Sequence, residues 1–600
     1  MLCAPFVFLA FSWNSKNSMK TSTLAQTFYL IAPMNSYKRN FHPYTYFIVL
    51  IASLLLLSHN SLQGQTRQPR RVKNVILMIS DGTSLSTVSL ARWYQRMLLP
   101  DSLHLAIDPY TGATVITFCS NAPTGDSAPT ASCYLTGMPS ITGFIGTYPY
   151  DDGPNNLVPV DPALAYSPLA TLFEAARLEQ GKSTGIVVTC QYPHATPANC
   201  AAHHENRNNY PLLAKQMAHN EIDVLIGGGT KYLTEEDSLF LVSKGYTILF
   251  DDVKALRSDK SQKLWSLFNP KDLPYEIDRD AAKFPSLAES TRIAIEKLNQ
   301  NSKGFVLMVE GSKVDWAAHA NDPAAMAKEF LAFDEACKTA LNFAKQNGET
   351  AVIITADHCT GGVAIGRNAW PRYDEYPASE LFGQLMRYRS SAETLSKKIK
   401  KTQPESLDTL FQAECGFSLS DSERNMLYNS QHYPLSPIKK ESRDNSSSLP
   451  HDSSLEYLVA TILNGRTPIA FSTHGHTAEE VWAAFYHPQG DTPRGVIYNT
   501  ELHRYMASLL GYPQGLKNVT EKYFAPHTSV FPKASFTIDT TSNPSTPSLT
   551  VKRGRAKIIA YANTNRIVVN GVGRDIPSLI VYSAPTKTFF LPKSLADLAK

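Results

Sequence analysis

The sequence predicts an α/β fold, a mostly parallel central sheet flanked by helices, with a small β-rich piece at the C-terminus. Three observations carry this. Continuous apolar runs of strand length recur along the chain, helical stretches separate them, and the texture shifts to short strand-like segments after Gly511. Uninterrupted apolar runs suit strands buried on both faces, as parallel sheets require. Strand–helix alternation is the pattern of that architecture.

The runs lie at 75–79, 185–189, 224–226, 305–309 and 351–355, and the helical stretches include 169–180 and Pro323–Asn347. Just past most of the runs stand polar or acidic residues: Ser80-Asp81, Cys190-Gln191, Glu310 and Asp357-His358. Ligands in open α/β sheets bind beyond the carboxyl ends of the strands. Distant parts of the chain are therefore expected to converge on one place.

Residues 370–455 break the pattern. They are polar, rich in Ser, Lys and Tyr, and helical in character; we read them as an insertion near the site, with 436–454 a disordered loop. Segments 548–551, 558–561, 567–569 and 579–582 read as short strands, with Asn570-Gly571 a turn. The expected organisation is an upstream and signal region (1–64), a large α/β domain (65–512) and a β-rich extension (513–600).

Charge excludes one class of partner. The chain has 57 Lys and Arg against 53 Asp and Glu, and four of the basic residues, Lys16, Lys20, Lys38 and Arg39, lie in 1–64. The remainder is neutral and has no electrostatic reason to seek nucleic acid. Lys38-Arg39 precede the apolar run 47–57, which is shorter than the roughly 20 residues a membrane span needs. A basic flank, a short apolar core and small polar residues through Gly64 read as an export signal, with Met34 a normal-length start. The expected location is periplasmic or extracellular. Seven cysteines follow the signal, an odd number without CxxC; Cys190 and Cys200 form the one pair considered for a bridge, and the role of small buried apolar residues is favoured for them.

The strand-end residues are of types that bind metals and phosphate. Asp315 and His319 are four apart, so on a helix they share one face and make half of a zinc site; a solvent-facing pair is the plainer account of those two alone. Asp357-His358 offers a carboxylate and an imidazole. In His474-Gly-His476 either ring suits a metal or a turn cap. A lone Asp81 would commonly cap the next helix. Pro129 suits a first helical turn and places Ser127 at a helix N-terminus, where free N–H groups and the dipole favour phosphate or an alkoxide; a plain cap is the alternative. A metal that lowers the hydroxyl's pKa removes the need for a side-chain base. Each plain role suffices alone, but their joint occurrence at successive strand ends calls for one explanation.

In this order the motifs Ser-Asp81-Gly, Asp126-Ser127-Ala, His194-Ala-Thr196-Pro, Arg207, Glu310-Gly-x-x-x-Asp315-x-x-x-His319, Thr-Ala-Asp357-His358 and Gly-His476-Thr resemble the alkaline phosphatase family, over residues 74 to 511. The 310/315/319 spacing and the step from His194 to Arg207 are the specific parts. The resemblance implies a catalytic domain that hydrolyses small phosphate monoesters, with Ser127 as nucleophile and a phosphoserine intermediate. It implies one zinc ion (Zn2+) on Asp315, His319 and His476, and a second on Asp81, Asp357 and His358. It implies a third ion, usually Mg2+, on Asp81, Thr196 and Glu310. It implies that Arg207 grips two phosphate oxygens and Asp126 orients Arg207. The resemblance favours His476 over His474 through its alignment to Val481-Trp482. A homodimer is the family's frequent assembly. Two positions depart from some members: His194 stands in place of Asp, and Trp316 in place of Lys. His194 adds a softer ligand at or near the third position, where magnesium prefers oxygen.

Three rivals are weighed. A phosphodiesterase of the same superfamily shares the zinc ligands but usually lacks an arginine placed like Arg207. A sulfatase needs Cys/Ser-x-Pro-x-Arg, whereas Ser127-Ala-Pro129 is followed by Thr130. A non-catalytic phosphate- or metal-binding surface protein is opposed by every catalytic position being filled. Gly181-Lys182-Ser183 is no phosphate loop, since the required earlier glycine is Ala176.

Overall fold

The computed structural model describes residues 68–599 except 103, 371 and 433–452. The expected signal region and the core of the expected disordered loop lie outside the described residues. Fourteen strands precede the C-terminal extension: β1 (Asn74–Ser80), β2 (Thr111–Ile116), β3 (Ser183–Gln191), β4 (Val224–Gly228), β5 (Thr247–Phe250), β6 (Leu264–Leu267), β7 (Phe305–Gly311), β8 (Thr350–Thr355), β9 (Cys359–Thr360), β10 (Val363–Ile365), β11 (Ile469–Phe471), β12 (His476–Thr477), β13 (Val481–Tyr486) and β14 (Gly495–Tyr498), counted among the described residues. The helices used below are α1 (Ser127–Thr136), α2 (Leu172–Gln180), α3 (Tyr210–His219), α4 (Lys313–Ala320) and α5 (Pro323–Asn347).

One large sheet has the order β14-β2-β13-β8-β1-β7-β3-β4-β6-β5. Its strands are parallel except β13, which runs antiparallel to β8 and β2. The five apolar runs are the contiguous centre, β8-β1-β7-β3-β4, so the expected fold class is observed. β1 shows why: all seven residues are buried, with Ile76 and Met78 packed in the core on one face and Val75, Leu77 and Ile79 on the other. Helix α5 has the sequence-predicted bounds for local reasons. Asp322 accepts hydrogen bonds from the N–H groups of Ala324 and Ala325, Pro323 opens the first turn, and Gly348 closes the helix at φ 69°.

The described residues of segment 370–455 form short helices whose Leu385, Tyr388, Leu395, Ile399 and Phe411 join the core on one face of the sheet. The extension includes the short strand β15 (Ala525–Pro526) and carries an antiparallel five-stranded sheet, β16 (Ser535–Asp539), β17 (Ser548–Arg553), β18 (Ala556–Tyr561), β19 (Arg566–Val569) and β20 (Val572–Asp575). Asn570 and Gly571 both take positive φ, 50° and 88°, as a type I′ hairpin turn requires. The extension has its own core around Phe531, Val551 and Ile567, while Leu579, Val581, Phe524 and Phe590 pack into the core of the large domain. The seven cysteines among the described residues are buried, and no disulfide joins Cys190 to Cys200. Among the described residues no helix is long and apolar enough to cross a membrane.

Candidate active site and metal centre

The carboxyl ends of four adjacent strands deliver the site. Asp81 follows β1, Glu310 is near the end of β7, His194 and Thr196 follow β3, and Asp357-His358 follow β8. Asp81 is not a helix cap, because Ser84 holds that role for the helix Leu85–Leu98. Helix α4 carries Asp315 and His319, and the β9–β12 ribbon pairs His476 with Thr360, beside His358. Ser127 is the first residue of α1; Asp126 precedes it but makes no side-chain cap, its carboxylate pairing with Arg207 instead.

His358 organises the centre. Its Nε2 lies 3.2 Å from Ser127 Oγ, 3.4 Å from Asp81 Oδ1 and 3.4 Å from Asp357 Oδ2. Thr360 donates its one hydroxyl proton to Asp315 Oδ1 (2.6 Å) and lies 3.3 Å from His358 Nδ1. That bond from His358 must then use an Nδ1 proton, which leaves the Nε2 lone pair facing carboxylate oxygens. Lone pairs aimed at one point are reconciled by a cation.

The remaining donors fit the same reading. Asp81, Glu310, Asp357 and Thr196 are fully buried. Both oxygens of Asp81, Asp357 Oδ2, Glu310 Oε1, Thr196 Oγ1 and His194 Nδ1 are buried without a hydrogen-bond partner. Leaving so many polar groups unmet is costly unless an ion satisfies them. Two three-residue groups could each hold an ion here, Asp315/His358/His476 and Asp81/Asp357/His358; a third joins Cys190, His194 and Glu310. His319 Nε2 is 3.3 Å from Asp315 Oδ2, while its Nδ1–H donates to the carbonyl of His474. His474 itself turns its Nδ1 to the carbonyl of His319 (2.8 Å), so of the two histidines His476 is the one facing Asp315 and His358.

Electrostatics point the same way. Burial, then repulsion from Asp357, Asp315 and Glu310, pushes the Asp81 carboxyl well above its usual range; burial does the same for Glu310 and Asp357. Burial lowers His358, and burial with the neighbouring His358 lowers His476 to about 4, so both rings are neutral and fit to ligate. For Asp126 burial works upward, but the Arg207 guanidinium outweighs it and keeps the carboxylate ionised. Arg207 Nη2 is 3.3 Å from His194 Nε2, and His194 packs edge-on against Trp316 at 5.7 Å.

Beside the centre opens a cleft of about 770 Å³, lined by His194, Trp316, His319, Tyr210, Tyr275 and Glu393 among others. Thus segment 370–455 does contribute to the cleft wall. Sequence reasoning missed Thr360 as a site residue, and it placed Cys190 at a strand end but read it as a small buried apolar residue; neither carries a spacing signal.

Comparison with known proteins agrees. The family model described as alkaline phosphatase matches residues 72–512. Alkaline phosphatase 3 of Bacillus subtilis is 31% identical over 459 residues, covering 74% of this chain and 89% of that protein. Alkaline phosphatase 4 of the same organism is 32% identical, covering 60% and 78%. The crystal structure of Thermus thermophilus alkaline phosphatase superposes with a TM-score of 0.64 at 25% identity, covering 75% of this chain and 94% of that one. The chain therefore belongs to the alkaline phosphatase family and is an enzyme that hydrolyses phosphate monoesters.

Proposed function

We propose that this enzyme works through a phosphoserine at Ser127, with two zinc ions and a third divalent ion held at the strand ends. The observation that carries the reading is the convergence of Ser127 Oγ, Asp81 Oδ1 and Asp357 Oδ2 on His358 Nε2. Asp315, His319 and His476 would hold one zinc; Asp81, Asp357 and His358 would hold the other. Asp81, Thr196 and Glu310 would hold the third ion, with His194 alongside. Ions bound there lower hydroxyl and water pKa and neutralise charge on attacking and leaving oxygens.

The chain's own groups do the rest. Ser127 presents its Oγ at the start of α1, where unpaired N–H groups favour negative charge. Arg207, braced by Asp126, offers its planar fork to two phosphate oxygens. Ser127 Oγ bonds to phosphorus as the ester oxygen leaves with the substrate's alcohol. Water then splits the phosphoserine, restoring the hydroxyl and releasing phosphate. A fork that needs two free oxygens favours monoesters over diesters. Cys190 and His194 next to Glu310 make the third position softer than an all-oxygen shell, so zinc or cobalt suits it as well as magnesium. We take residues 1–64 as an export signal and 65–512 as the catalytic domain.

The test uses the mature chain on p-nitrophenyl phosphate and its bis ester, after metal stripping and restoration with zinc, with or without magnesium or cobalt. Metal-dependent monoester turnover that collapses in Ser127→Ala and weakens in Arg207→Ala is expected. Preference for the diester, or full activity in Ser127→Ala, overturns the reading.

A further inference from the structure

We infer that the C-terminal extension is a positioning element for the phosphate-gripping loop: it sets Arg207 through Asn563, Gln216 and His203. The inference rests on the reading of Arg207 as the phosphate ligand. It assigns a role to residues 513–600, which lie beyond the segment matched by the family model.

The connection is continuous and buried. Arg207 stands in the loop between residue 203 and α3, whose first residue is Tyr210. The loop is pinned at three points. The N–H of Arg207 donates to Gly143 O (2.8 Å), and His204 exchanges two backbone hydrogen bonds with Ile145. The third point is His203. Its N–H donates to Gln216 Oε1 (2.7 Å), and Gln216 Nε2 donates back to His203 O (3.1 Å). One amide from α3 thus clasps both backbone groups of the residue that opens the loop.

Gln216 is itself fixed by the extension. Its Nε2 also donates to Asn563 Oδ1 (2.8 Å), and both side chains are almost wholly buried. Asn563 reaches it from a turn at φ 62°, a conformation Asn tolerates, and is held by Ser545 O (3.1 Å). The two backbone groups of His203 set which way Gln216 points its nitrogen, and the Asn563 acceptor adds a second bond that holds the amide in that orientation. The extension reaches the His203 ring as well. Phe524 packs edge-on against it at 4.8 Å. The ring nitrogens face Gly146 O (2.8 Å) and Glu174 Oε1 (3.0 Å), both acceptors, so His203 carries two protons balanced by Glu174.

A nearby contact separates docking from positioning. Asn565 bonds to His219 Nδ1 (3.1 Å) and Glu221 Oε1 (3.0 Å) at the same interface, and both of these bonds lie away from the 203–207 loop. Loss of Asn565 weakens docking alone; loss of Asn563 weakens docking and removes one of the bonds that hold Gln216. Asn563→Gly keeps the turn's φ available, and Gln216→Met keeps the side-chain length.

The experiment compares the full chain with Gln216→Met, Asn563→Gly, Asn565→Ala and Arg207→Ala. The readouts are Ki for inorganic phosphate, kcat and KM on p-nitrophenyl phosphate, and Tm. Gln216→Met and Asn563→Gly are expected to raise Ki and KM about three- to tenfold, the scale of one lost hydrogen bond, with kcat changed less. Asn565→Ala is expected to lower Tm as far as Asn563→Gly does, with Ki unchanged. In the Arg207→Ala background Asn563→Gly should raise Ki no further. If Arg207→Ala weakens phosphate binding while both loop variants match wild type, the positioning role is overturned and the reading of Arg207 stands. If Arg207→Ala leaves Ki unchanged, that reading falls and the inference with it.

Discussion

Thr360 joins the two proposed zinc positions: its hydroxyl donates to Asp315 Oδ1 at 2.6 Å and lies 3.3 Å from His358 Nδ1. Partners that orient metal ligands typically change metal affinity or activity by about 10–100-fold. Thr360→Val keeps the shape and deletes the bond. We expect it to lose zinc at roughly tenfold lower chelator concentration, read as metal content after dialysis, and Thr360→Ser to retain zinc like wild type. Equal retention in Thr360→Val sinks the assignment.

The centre concentrates four carboxylates, Asp81, Glu310, Asp315 and Asp357, in the protein interior. Stripped of cations, they repel one another where water cannot screen them. Chelation is therefore expected to lower Tm as well as activity. By linkage, an ion at about 100 times its Kd stabilises by about 2.7 kcal/mol. Differential scanning calorimetry with and without chelator checks this; an unchanged Tm would count against tight ion binding.

Gly82 is fixed by both conformation and space. Its φ is 61°, and a Cβ there would collide with Asp315 Oδ1 and sit 2.7 Å from Thr360 Oγ1. Its N–H also donates to Asp357 Oδ1 (3.1 Å). Gly82→Ala must push Asp315 aside, so we expect zinc content and kcat to fall together. A variant that keeps full zinc and full kcat contradicts this geometry.

The centre of the sheet was legible in the sequence because a strand buried on both faces leaves an unbroken apolar run. The outer strands were not, since β2, β5 and β14 are half exposed and mix polar with apolar residues. β20 hid for the same reason: all four of its residues are exposed. At the site, spacing marked Asp315 and His319 because one helix face holds both. The residue types alone left His474 and His476 alike, and only the family resemblance picked His476; in the structure His476 pairs across the ribbon with Thr360. Lys313 gave no signal, yet its ammonium is buried 3.8 Å over the Tyr275 ring, donates to Leu273 O at 2.9 Å, and lines the cleft. Such contacts join segments far apart in the chain, where no local pattern records them.

Asp334, on α5, provides a pH test away from the metals. Its carboxylate accepts hydrogen bonds from the N–H groups of Ala106 (2.8 Å) and Ile107 (3.2 Å) and is 6% exposed. Burial pushes it up to about 6; those two bonds oppose the rise but do not cancel it. A carboxyl raised above its unfolded value binds its proton more tightly in the folded state. Its contribution is therefore most favourable below the unfolded pKa of about 3.9, declines as pH rises toward 6, and is constant above. The two-unit rise sets a ceiling of about 3 kcal/mol on that decline. Asparagine does not titrate, so the cost of Asp334→Asn should be largest near pH 4 and shrink by pH 7. Urea unfolding of both proteins at those two pH values decides it: a cost that grows with pH would show that Asp334 is ionised throughout and that the two N–H groups outweigh burial.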